Sequence, residues 1–190
     1  MTFPQAIMAF GAATTLALAT ANAPYAGVPG EGRVVAAARC VEGSETRGFS
    51  SVDEGEIRWT EASKYDSLRK HAVTEWNRFR KINIAPDGAN TVNDLEFRDY
   101  YNKNDPAAAK WERHGGIAQT DYIYLNKHWL ADVYKREPEY RKNIVVHELG
   151  HALGLCHKAD SVDSVLRRNA SDKTVPTAVD KANYVKLWGR

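Results

Sequence analysis

Eleven consecutive residues, HELGHALGLCH at 147–157, hold three of the six histidines in this 190-residue chain, together with a glutamate. On a helix, His147 and His151 are four residues apart, so both imidazoles leave the same face one turn from each other. Two nitrogens placed in that way can reach a single Zn²⁺ at about 2.0–2.1 Å. Gly154 can take the left-handed backbone conformation that ends a helix and reverses the chain, and His157 then returns as a third nitrogen ligand. Three neutral ligands leave a dipositive ion with an open position. Glu148, next to His147, is placed to take a proton from an attacking water as general base. A bare H-E-x-x-H arises readily by chance. The added glycine and third histidine at fixed offsets make the pattern specific.

The flanking sequence supports a helix here. Pro138 suits a first helical turn, and the helix pattern from 138 runs to Gly154, which stops it. Upstream, 56–60 reads as a strand. Tyr65, Leu68, Ala72, Trp76 and Phe79 recur at spacings of three and four as one helical stripe, with Ser63 as N-cap. Residues 82–86, 94–100 and 121–126 read as further strands, and the polar stretch 102–116 reads as loop. Thr177 with Asp180 forms a capping-box pattern at the start of a final helix.

The formal charge of +2 is spread evenly, so nothing demands nucleic acid or an anionic membrane as partner. Charge is missing only from the first thirty residues, before Glu31. There the run AIMAFGAATTLALATANA ends in small-residue sites at Ala21 and Ala23, the pattern of a secretory signal peptide, although no Lys or Arg precedes it. The expected organisation is a signal peptide at 1–23 with cleavage near 21–23, a linker or short pro-segment at 24–39, and one catalytic domain at 40–190. A secreted protein with no stable membrane insertion after processing follows from that organisation.

The pattern H-E-x-x-H-x-x-G-x-x-H is that of the metzincin zinc peptidases. The helix carrying Ala72, Trp76 and Asn77, the strand ending in Leu125-Asn126, and the final PT…D…Y…LWG helix resemble the matrixin branch. The resemblance implies an α+β fold: a twisted, mostly parallel sheet with two long helices, the zinc helix on the floor of a cleft, and a small C-terminal subdomain with a final helix. It implies a secreted zinc endopeptidase, monomeric, that holds its protein or peptide substrate extended against an edge strand, expected at 117–121. It departs from the family at one place. Metzincins carry a methionine in a turn beneath the zinc, and the chain's only methionines are Met1 and Met8. Leu166 stands at the expected position as the floor of the site. Leucine is close to methionine in volume. The exchange opens an alternative reading, a zinc-binding protein of weakened catalysis.

Cys40 and Cys156 admit two readings. In an exported chain an even cysteine count favours a disulfide. By the family resemblance, a cysteine after an arginine, here Arg39-Cys40, can instead ligate the zinc and keep the enzyme latent. His114 and His128, with Asp99, Asp105 and Asp121, are candidates for a structural Ca²⁺ or a second Zn²⁺. His71 reads as an ordinary helix residue.

Overall fold

The computed structural model describes residues 36–115 and 119–189. The expected signal peptide at 1–23, and residues 24–35 of the linker, lie outside the described residues. Among those described, no helix is long and apolar enough to cross a membrane.

Five strands form one sheet in the order β2-β1-β3-β5-β4: β1 at Glu56–Ala62, β2 at Asn83–Pro86, β3 at Leu95–Tyr100, β4 at Ala109–Glu112 and β5 at Asp121–Asn126. The neighbours pair in parallel except β4, which runs antiparallel to β5 with Trp111 opposite Ile123. Alternation decides the faces. Ile57, Leu95, Phe97, Ile123 and Leu125 are buried, while Glu96, Arg98, Tyr122 and Tyr124 keep partial exposure. The buried face is covered by α1 (Asp66–Asn77) and α2 (Pro138–Ala152). Leu68, Ala72 and Trp76 supply the buried stripe of α1, as their spacing predicts. Trp76 also donates its indole N–H to the Val146 carbonyl of α2 at 2.9 Å, so the packing is fixed in register.

From Asn143 to Ala152, α2 is buried at every position. Close approach explains part of this. At Gly150 a Cβ would sit 2.7 Å from Leu166 Cδ2 and 3.0 Å from Trp76 Cζ2. The helix ends where expected: Gly154 has φ +79, and a Cβ there would also collide with the Thr46 carbonyl. Beyond it the described residues contain one regular helix or strand, α3 at Ala178–Trp188, whose Thr177–Asp180 capping box forms on both sides.

Three expectations need correction. Ser63 does not cap α1: the helix begins after Tyr65 with no side-chain cap, and Ser63 donates instead to Asp99 at 2.6 Å. The stretch 102–116 is not all loop, because it contains β4. The edge strand is therefore β4 and not 117–121, where Gln119 and Thr120 are not in a strand and Asp121 opens the interior strand β5. Four residues behind an alanine run carry little strand signal. Only the alternation of buried Ala109 and Trp111 with more exposed Lys110 and Glu112 marks them. A short π-helical turn at His128–Val133, which leads from β5 towards α2, was not expected.

Candidate metal centre

His147 and His151 lie on the last two turns of α2, and His157 is delivered by the reversal at Gly154. The three Nε2 atoms converge. His147 and His151 are 2.9 Å apart there, His147 and His157 3.1 Å, and His151 and His157 3.2 Å. Their other nitrogens explain the orientation. His147 Nδ1 donates to the Val165 carbonyl at 2.9 Å and His151 Nδ1 to the Leu155 carbonyl at 2.8 Å. Those contacts leave Nε2 of both rings as lone-pair donors, aimed at the same point as His157 Nε2.

Converging lone pairs repel, and a shared cation turns that repulsion into ligation. The spacing fits: ligands at about 2.0–2.1 Å in a tetrahedron are about 3.3 Å from one another, close to the separations seen. Protonation does not compete. Burial, reinforced by its two neighbouring histidines, lowers the His147 pKa well below its usual value. Burial likewise takes His151 down to about 3 and His157 to about 4. The rings are neutral at physiological pH, the form a metal requires.

Glu148 is buried against β4. Its Oε2 accepts the Trp111 backbone N–H at 2.8 Å, while Oε1 is buried with no hydrogen-bond partner. Burial raises its pKa to about 8, and the Trp111 N–H opposes that rise. Because this N–H points at Glu148 and not at β5, the free edge of β4 faces the centre. Trp111 is held in turn through its indole N–H, which donates to Ser51 Oγ at 2.9 Å. Ser51 donates to Asp121 at 2.7 Å.

Leu166 is fully buried, with its side chain against Gly150. Its carbonyl accepts the Lys158 N–H at 2.8 Å, next to His157. The turn it belongs to is pinned by Asp180, which accepts from Ser164 Oγ and from the Val165 N–H.

Cys40 and Cys156 form a disulfide with Cα atoms 5.6 Å apart, and the described residues contain no free cysteine that could act as a latency thiol. The bond belongs to a strap, residues 38–51, laid over the reversal that carries His157. Val41 N–H donates to the His157 carbonyl, Thr46 N–H to that of Gly154 and Ser51 N–H to that of Ala152. Lys158, fully buried, donates to Glu45 at 2.6 Å and to the Ala38 carbonyl at 3.2 Å.

The remaining candidate ligands are not brought together. Among the described residues, the only metal-capable group besides the three histidines is Cys40, Glu45 and Cys156, whose sulfurs are bonded to each other. Asp99 accepts from Ser63 and Asp105 from Tyr100. Asp121 accepts from Ser51 and the His114 N–H, and His128 faces Asp132 at 3.6 Å. His71 bonds the Thr174 carbonyl. Trp111, Gly150, Ser51 and Lys158 were missed by sequence reasoning. Only Gly150, a glycine inside a helix pattern, carried a signal of close packing that could have been found.

The matrixin family of M10 peptidases matches residues 19–189 of the chain. No curated protein matches the sequence closely enough to count as a relative. Among solved structures the fold is similar to that of myroilysin, with a TM-score of 0.52 at 11% identity, over 76% of this chain and 98% of that one.

Proposed function

The chain belongs to the matrixin family of zinc metallopeptidases, and from that premise we propose that it is a secreted endopeptidase in which Glu148 is the general base. His147, His151 and His157 are the residues that would hold the zinc. When bound, zinc supplies a Lewis acid that polarises the peptide carbonyl and brings the pKa of water towards about 7.

The chain's own residues supply the rest. The Trp111 N–H fixes one oxygen of Glu148, leaving Oε1 to take the proton of the attacking water and return it to the leaving amine. The edge of β4 away from β5 is paired with no other strand, so it can align an extended substrate by main-chain hydrogen bonds. Leu166 forms the apolar floor, in the role a methionine has elsewhere in the family.

The observation that carries this reading is the convergence of three Nε2 atoms beside a buried carboxylate oxygen with no partner. A zinc-binding protein without catalysis would have no chemical use for that carboxylate. Digestion of casein by the refolded protein, with and without a chelator, tests the reading. Chelator-sensitive cleavage is expected, and zinc binding with no cleavage of any peptide would favour the inactive alternative. Export is tested by locating the mature N-terminus of the protein recovered outside the cell, expected after residue 21 or 23.

A further inference from the structure

A cavity of about 250 Å³ opens beside His151 and His157. Leu155 and the Gly154 turn form its inner wall, Trp111 of β4 one side, and Glu42–Ser44 of the strap its outer wall. Phe49 completes the lining. It is 46% exposed, and its ring stands edge-on to Trp111 with centroids 5.2 Å apart.

The strap wall is fixed at both ends. On one side Cys40 is bonded to Cys156 and the Val41 N–H to the His157 carbonyl. On the other the Thr46 N–H is bonded to the Gly154 carbonyl. The wall's carboxylates are already paired, Glu42 with Arg168 and Glu45 with Lys158. What the cavity offers is therefore mainly apolar surface with no uncommitted carboxylate in its wall. A charged side chain entering it would lose water without gaining a counter-ion. An apolar one would gain by burial.

Trp111 ties this cavity to the reaction centre. Its ring lines the cavity while its backbone N–H bonds Glu148. Side chains of an extended peptide alternate in direction, so a chain laid on the edge of β4 can send one of them into the cavity close to the bond Glu148 serves. Resting on the peptidase reading above, we propose that the cavity is a specificity subsite. It takes a large apolar or aromatic side chain within a residue or two of the cleaved bond, and Ser44 and Phe49 shape its outer boundary.

Calorimetric titration of the zinc-loaded Glu148→Gln protein tests this without relying on turnover. The probes are blocked hexapeptides of glycine and alanine in which Phe, Leu or Asp replaces one position at a time. One position should favour Phe or Leu over Ala by about tenfold or more, and Asp there should bind no better than Ala. Ser44→Trp, which fills the cavity from an exposed strap position, should remove that preference with zinc content and melting temperature retained. Phe49→Ala should weaken it. Equal binding of Phe and Ala peptides at every position, or a preference that survives both variants, overturns the proposal. Cleavage of the same peptides by the unmutated protein judges the peptidase reading separately. Selective binding without cleavage would keep the subsite and remove the peptidase.

Discussion

Asp180 accepts the backbone N–H of Val165 at 3.0 Å, and the carbonyl of that same Val165 accepts Nδ1–H of His147 at 2.9 Å. The N-terminal cap of α3 is thus one residue, Val165, away from a candidate metal ligand. Outer partners of this kind orient a ligand ring, and their loss usually costs about 10–100-fold in metal affinity. Asp180→Ala should weaken zinc binding by that order, measured by chelator competition. It should also lower the melting temperature, because Ser164, Val165 and Thr177 lose their acceptor. Unchanged zinc affinity in a folded Asp180→Ala protein would separate the cap from the metal centre.

The disulfide closes a separation of 116 residues and fastens the strap over the turn that presents His157. In the chain-entropy account, a loop of this size stabilises the fold by up to about 4.7 kcal/mol. Reduction should lower the melting temperature and increase the rate of zinc loss to a chelator, with no rise in peptidase activity. Activation on reduction, or by a thiol-modifying reagent, would contradict a structural role for the bond and support latency through Cys40.

Burial raises the Asp94 pKa to about 6, with Asp53, Glu56 and Asp87 adding to the rise and the Arg58 N–H opposing it. A raised carboxyl pKa means that the folded protein holds a proton the unfolded chain has released. Stability from this group is therefore full below about 3.9 and lost as pH rises through about 6. Asp94→Asn keeps an oxygen for the Arg58 N–H and removes the titration. Its melting temperature should gain on wild type between pH 4 and pH 7. A difference that does not change with pH would show that Asp94 titrates as an ordinary exposed carboxyl group.

Leu166 and Gly150 form a packed pair, so shape governs this part of the site. Leu166→Met should cost less than about 1.5 kcal/mol of stability and change activity only modestly. Gly150→Ala puts a methyl group into Leu166 and Trp76 and should destabilise by about 1–3 kcal/mol. Adding Leu166→Val should recover part of that loss. A wild-type protein that holds zinc and cleaves nothing until Leu166 becomes methionine would show that sulfur, and not shape, is needed there.

The parts of the site that were legible in the sequence are those that sit close together along the chain. His147 and His151 share a helix face because they are four apart, and Gly154 announces the reversal that returns His157. The Thr177–Asp180 box is legible for the same reason. Trp111 was not, because its importance lies in a backbone N–H whose partner is 37 residues away in sequence. The strap was hidden likewise: its bonds join backbone groups of 38–51 to the turn near 154, and no periodicity records them. The short strand β4, AKWE, has four residues and no β-branched side chain, so sequence alone puts the edge strand a few residues too late.

In the proposed mechanism three histidines hold one zinc while Glu148 performs the proton transfer beside it. The most direct test compares casein hydrolysis by wild-type and Glu148→Ala proteins that contain the same measured zinc, expected at about one per chain from the three ligands. The variant is expected to keep its zinc and to lose at least about a hundredfold in rate. Undiminished hydrolysis at full zinc occupancy would contradict it, because another group would then be moving the proton.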